Sequence, residues 1–334
     1  MSTEATAGRR RSHAPLIVGG ILFIAAAGFL GWWLTRGDEL ATLHGHDGPV
    51  RAVAFSPDGS VIASAGDDGN INIWDYGTFK KRRSLNIEAI RKVRAIVFGP
   101  GTTLFAVGDD RCVLVWDWAT GIGSNFLFTG GQKGLECVGI SPDGKTVAAG
   151  GIDGTVYLWQ TDGQHRDRLR SLQGHTKHVH GLAFLPDGKT LLSAGEDGSL
   201  RLWNWQDSTT EATIEVGKRH VHGIAVSADG KMVAAAVGGT GLRRWSLPDR
   251  RELPAIEGAG MARGVAISPD GKTLATVHED GTVKLWDNDT GDRRAVLKGH
   301  VKVVLGVAFA PDGKTLATAG SDGTVKLWKV ADKR

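Results

Sequence analysis

The chain has 334 residues, 41 % of them hydrophobic and 23 % charged, the balance of a folded globular protein; this excludes a disordered chain, a collagen and a polytopic membrane protein. Half of the formal charge of +4 lies in residues 1–38, where Arg9, Arg10, Arg11 and Arg36 face only Glu4 and Asp38, so the remainder is too weakly basic to suggest a nucleic-acid partner. Two cysteines, Cys112 and Cys137, cannot build a disulfide framework and read as buried thiols, while 48 glycines and 11 tryptophans suggest many tight turns around aromatic anchors.

In chain order, residues 1–15 form a basic tail and residues 16–34, LIVGGILFIAAAGFLGWWL, carry no charge. As a helix this stretch would span roughly 28 Å, the thickness of a bilayer core. Trp32 and Trp33 suit the lipid–water boundary, and the arginine triplet places the amino terminus in the cytoplasm by the positive-inside rule. The expectation is a single-pass membrane protein whose bulk lies on the periplasmic or another extracytoplasmic side. A cleaved signal peptide ending at Ala25-Ala26-Ala27 is the competing reading, but it would leave the apolar stub GFLGWWL on the mature chain, so an uncleaved anchor is preferred. Residues 35–38 are then a short linker.

From residue 39 the sequence repeats. Trp74, Trp116, Trp159, Trp203, Trp245, Trp286 and Trp328 recur at intervals of 41 to 44, and the turn glycines Gly59, Gly101, Gly144, Gly188, Gly230, Gly271 and Gly313 keep the same spacing. Each unit reads as short alternating segments split by turns: Val50–Phe55, then SPDG, Val61–Ala65, then DDG, then Ile71–Trp74. A period near 42 with four strands per unit marks a propeller blade. The predicted fold is all-β, a seven-bladed propeller over 39–334 preceded by one transmembrane helix.

Gly45-His46, Trp74-Asp75, Gly174-His175 and Gly299-His300 make the repeats resemble the WD40 family, over essentially all of 39–334. The resemblance implies buried hydrogen-bonded tetrads formed by His46, Ser64, Asp68 and Trp74, by His175, Ser193, Asp197 and Trp203, and by His300, Thr318, Asp322 and Trp328. The other four units depart from the pattern. Ala106 and Ala149 replace the hydroxyl, Gly131, Gly217 and Gly258 stand where histidine would, and Gly239 replaces the aspartate, so blades two, three, five and six should be less rigid. Because ELATLHGH at 39–46 matches RRAVLKGH at 293–300, residues 39–43 should complete blade seven and close the ring.

The resemblance also implies that residues just before the inner strands line the channel mouth and meet partners: Arg51, Arg94, Glu136, His180, His222, Arg263 and Leu305. With Lys92, Lys177, Lys218 and Arg219 nearby, this reads as a cationic rim suited to an acidic peptide, a carboxylate or a phosphate. Lys177-His178-Val179-His180-Gly181 recurs as Arg219-His220-Val221-His222-Gly223, which could gather four imidazoles for zinc, copper or nickel. The flanking cations oppose a metal, so that reading is the alternative. On the other face, Lys145, Lys189, Lys231, Lys272 and Lys314 each follow a turn aspartate and read as turn chemistry. Asp287–Asp292 falls short of a calcium loop, since Lys298 stands where glutamate is required. Nucleophile-elbow, phosphate-loop and zinc-protease motifs do not occur. The sequence therefore predicts a non-enzymatic, membrane-anchored extracytoplasmic scaffold or accessory subunit of a membrane complex, with protein partners, no cofactor and no catalytic residues. The alternative is a metal- or cofactor-binding propeller that uses the channel-mouth histidines.

Overall fold

The computed structural model describes residues 38–86, 92–129, 134–161 and 169–330. The basic tail, the apolar stretch 16–34 and residues 35–37 lie outside the described residues, as does Gly131. Among the described residues, no helix is long and apolar enough to cross a membrane.

The chain from Asp38 onward forms seven antiparallel sheets. Blade one is typical: inner strand Val50–Phe55, then Val61–Gly66, Asn70–Asp75 and outer strand Lys81–Asn86. The second strands, such as VIASAG in blade one and TLLSAG in blade four, are buried along their whole length, except that blade two's begins with the partly buried Thr103. Both faces are covered by neighbouring blades, which is why these strands favour alanine, serine and glycine over polar–apolar alternation. The tryptophan of each third strand fills the seam beside it; Trp74 joins Ile62 in a cluster with Leu43, Ala317, Val325 and Leu327 of blade seven. The turn glycines Gly59 to Gly313 all have φ between +59° and +73°, a left-handed conformation that explains why glycine marks the repeat so regularly. In six of the seven turns an aspartate precedes the glycine and caps the turn, as Asp143 accepts the Lys145 N–H at 3.0 Å and Asp187 that of Lys189 at 2.8 Å; in blade two Pro100 stands there instead.

The ring closes through its first strand. Glu39–His44 is the outer strand of blade seven, pairing antiparallel with Thr324–Lys329, and the Lys329 N–H donates to the Asp38 carbonyl at 2.7 Å. Leu43 is buried in this seam. Lys326, also buried, places its ammonium 3.0 Å from Glu39 Oε1 and 2.7 Å from Thr42 Oγ1. The seven inner strands touch one another in cyclic order.

Blade five departs from the four-strand expectation. It holds three strands, Val221–Val226, Met232–Val237 and Gly241–Ser246. A fourth begins with the bridge between Trp245 and Glu252 and the bond from the Leu253 N–H to the Arg244 carbonyl, 2.8 Å. The pairing goes no further: the next residue, Pro254, gives its carbonyl to the Arg244 side chain at 3.0 Å. Cys112 and Cys137 are both free and buried, and burial raises both thiols, Cys112 to about 11.

Candidate functional site

Three blades carry a complete polar chain from tryptophan to aspartate. In blade four the Trp203 Nε1–H donates to Ser193 Oγ at 2.8 Å, the serine hydroxyl to His175 Nε2 at 2.7 Å, and His175 Nδ1–H to Asp197 at 3.0 Å. Since the Asp197 carboxylate can only accept, Nδ1 must carry the proton, which fixes the neutral histidine as the Nδ1–H tautomer and leaves Nε2 to accept from the serine hydroxyl. Blade one repeats this with Trp74, Ser64, His46 and Asp68 at 2.8, 2.8 and 3.0 Å. Blade seven does so with Trp328, Thr318, His300 and Asp322 at 2.8, 2.8 and 2.9 Å. Desolvation would raise Asp68 and Asp322, but hydrogen bonds from His46 and Asn70, and from His300 and Thr324, hold both far below the usual carboxylate range. Burial lowers His175, which favours its neutral form. Such chains tie the strands of a blade together.

The remaining blades improvise. Blade six, expected to lack its network because Gly258 stands in the histidine position, builds one from its own second strand. The Trp286 N–H donates to Thr276 Oγ1 at 2.9 Å, which lies 2.8 Å from His278 Nε2, and His278 Nδ1 reaches the Met261 carbonyl at 3.1 Å. In blade three Tyr157 donates to Asp153 at 2.7 Å. In blade five Ala235 takes the hydroxyl position, and Arg243 lies 5.0 Å over the Trp245 ring while bonding Glu252 twice at 2.6 Å.

The channel mouth is a cavity of about 640 Å³ lined by Arg51, Arg94, Glu136, His178, His180, His222, Arg263 and Leu305. These side chains reach it for a backbone reason. In every inner strand the pairing register skips the second residue, as between Val50 and Ala52 or Val179 and Gly181. The skipped residues are Arg51, Arg94, Glu136, His180, His222, Arg263 and Leu305, so they lie within the strands rather than before them. A bulge of this kind bends the strand and re-aims one side chain, here toward the axis.

The rim is not the bare cationic ring expected from the sequence, because an acid that follows the second strand meets each arginine. Arg51 bonds Asp67 through both Nε and Nη2, the latter at 2.9 Å, and Lys92 lies 3.8 Å from the same carboxylate. Arg94 bridges Asp109 at 2.7 Å and Glu136 of the next blade at 3.0 Å, and Arg263 bonds Glu279 at 2.8 Å. Burial disfavours both charges, yet these partners win: Asp67 is lowered and Arg94 raised. Asp67, Asp109, Glu196 and Glu279 each occupy the position just before a tetrad-type aspartate, a regularity that could have been read from the repeats. The arginines stay 29–42 % exposed at the rim, so a partner's carboxylates can reach them and exchange with the resident acids.

Between blades four and five the four histidines do converge. Ring centroids of His178 and His180 are 5.8 Å apart, His180 and His222 6.4 Å, and His220 and His222 6.2 Å. Glu196 stands among them, with Lys177 3.9 Å away. Arg219 turns aside to the Gly238 carbonyl at 3.4 Å, into space that Gly239 leaves open by lacking a Cβ. Desolvation lowers His180, and desolvation with Arg263 lowers His222 to about 4. Asp287, first residue of the discarded calcium loop, is buried, pairs with Arg294 at 2.9 Å and caps the turn at Asp289 and Thr290.

Against known proteins, the chain is similar to the small ribosomal subunit protein RACK1y of Oryza sativa, 34 % identical over 138 residues, which is 40 % of each chain. It resembles the small ribosomal subunit protein RACK1 of Schizosaccharomyces pombe at 34 % identity, over 36 % of this chain and 41 % of that one. It is 31 % identical to the cilia- and flagella-associated protein 52 of Chlamydomonas reinhardtii over 37 % of this chain and 20 % of that one. The chain thus spans well under half the length of these curated relatives. The family described as WD domain, G-beta repeat matches residues 37–75, 86–117, 124–160, 166–204, 255–287 and 291–329, and the unmatched run 205–254 contains the three-stranded blade five. With seven antiparallel blades, three tryptophan-to-aspartate chains and family matches over most of its length, the chain belongs to the WD40 repeat family.

Proposed function

We propose that this chain is a membrane-anchored, extracytoplasmic interaction scaffold, an accessory subunit that holds a protein partner of a membrane complex against its channel mouth. The work is binding, with no catalytic step. The observation that carries this reading is the set of bulged residues aimed at one mouth, where Arg51, Arg94 and Arg263 are held by exchangeable carboxylates. A partner that presents acidic side chains can take over those arginines, while one that presents basic side chains can take the acids. Anchoring rests on the uncharged stretch 16–34 behind Arg9–Arg11.

Affinity capture with the full-length chain from detergent-solubilised membranes tests the face. A stoichiometric protein partner should be retained by the wild type and by the opposite-face variant Lys145→Glu/Lys189→Glu, and lost from Arg94→Glu/Arg263→Glu. Equal capture by both variants would remove the channel mouth from the reading. A reporter fused after Arg334 tests the topology: activity confined to the cytoplasm would overturn the extracytoplasmic placement.

A further inference from the structure

Glu196 lies among the histidines without settling on any of them. Its Oε2 is 3.7 Å from His178 Nδ1 and 3.8 Å from His180 Nε2, while its Oε1 is 3.6 Å from His220 Nε2 and 3.9 Å from Lys177 Nζ. A carboxylate whose role is an ordinary ion pair closes on one donor at about 2.7–2.9 Å. Here it stands nearly equidistant from four, each beyond hydrogen-bonding range. One atom each from His178, His180 and Glu196 lies within 4.8 Å of the others.

We propose that His178, His180 and Glu196, with His220 as fourth ligand, bind a divalent transition-metal ion of borderline softness, of which zinc is the simplest case, at the seam between blades four and five. Three imidazoles and one carboxylate are a donor set for such an ion, since calcium and magnesium require oxygen. Tetrahedral zinc with bonds of about 2.0–2.1 Å holds its ligand atoms roughly 3.3 Å apart. His178 and His180 therefore need to close on Glu196 Oε2 by only a few tenths of an ångström and on each other by somewhat more, whereas His220, which faces the other carboxylate oxygen, must move further to join them. The side chains are free to do so: His178 is 42 % exposed and His220 51 %, and each approaches from a strand start.

Sequence alone argues against a cation here because Lys177, Lys218 and Arg219 flank the histidines. Two features alter that balance. Glu196 supplies a negative charge from a different strand, and Arg219 is directed to the Gly238 carbonyl. Lys177, 55 % exposed, is the resident competitor for Glu196 and can swing into water. The site shares the channel mouth with the arginine–carboxylate pairs but takes none of their residues as ligands, and it needs no protein partner. The metal would tie blade four to the blade that lacks an outer strand.

Titration calorimetry of the purified full-length chain with zinc chloride, alongside metal analysis after dialysis, tests the site in isolation. One zinc per chain should bind, magnesium chloride should give no heat, and cobalt should give the visible absorption bands of a tetrahedral complex. Glu196→Gln and His180→Ala should each weaken binding by more than about tenfold. Lys177→Ala should strengthen it, and His44→Gln, at an exposed histidine far along the chain, should leave it unchanged. If His180→Ala does not fold, the more exposed His178→Ala carries the same test. Absence of saturable binding in the folded wild type, binding that survives Glu196→Gln, or equal loss in His44→Gln would overturn the site.

Discussion

Ser193 is a small residue with a large share of blade four's polar bonding, since its hydroxyl accepts from the Trp203 indole and donates to His175. Ser193→Ala leaves a buried N–H and a buried imidazole nitrogen without that partner, and should destabilise the protein by about 1–3 kcal/mol in urea unfolding monitored by tryptophan fluorescence. A value near zero would show that water can take the hydroxyl's place. The three tetrads are legible in the sequence because their intervals, 22 from histidine to aspartate and 6 from aspartate to tryptophan, do not vary. His278 is not legible in that way: it reaches the same hydroxyl position from two residues along its own strand, whereas the template looks 22 residues upstream and finds Gly258. Glu196, Asp67, Asp109 and Glu279 are hidden for another reason. Their recurrence before the tetrad-type aspartate is visible in the repeats, but their role is not, because only the bulge in the facing strand brings an arginine to Asp67, Asp109 and Glu279 and an imidazole to Glu196.

At the scale of strands, two elements depart from strict repetition, in opposite directions. Glu39–His44 sits far from its sheet in sequence yet completes it, and its Glu39 holds the buried Lys326. Glu39→Ala strands that ammonium with Thr42 alone, so a loss of about 3 kcal/mol is expected, read as a lower urea midpoint at unchanged slope. An unchanged midpoint would mean that Lys326 escapes to solvent. The match of ELATLHGH to RRAVLKGH makes this strand readable, because it is a repeat cut in two. Blade five is the reverse case. Its tryptophan and turn glycine keep the register, so the sequence counts a full unit, but the outer strand stops just after Leu253 has paired. Landmarks in the second and third strands carry no information about the fourth.

For the molecule as a whole, the seven tight seams make acid the solvent condition to which it should respond most clearly. Burial lowers His175 and His278 from the ordinary 6.5, so below that pH the unfolded chain binds protons that the folded one refuses. Stability attributable to these groups is complete above pH 6.5 and is lost as pH falls through their depressed folded values. Asp68, Asp197 and Asp322 act with the same sign further down, since their stabilisation is present above the ordinary 3.8 and disappears below it. The thermal midpoint should therefore decline in two stages on acidification, and His278→Gln should flatten the first. A midpoint that is level from pH 7 to 5 would contradict the burial of these imidazoles.

The bond from Lys329 to Asp38 sets the two edges of the toroid's only join side by side. A polypeptide stitched in this manner has no privileged starting point. A few linking residues from Val330 back to Asp38 would make the circle covalent, and it could then be reopened at the exposed turn around Asp249–Arg250 without cutting a sheet. Linear order is thus a convenience of synthesis, and the architecture itself is circular.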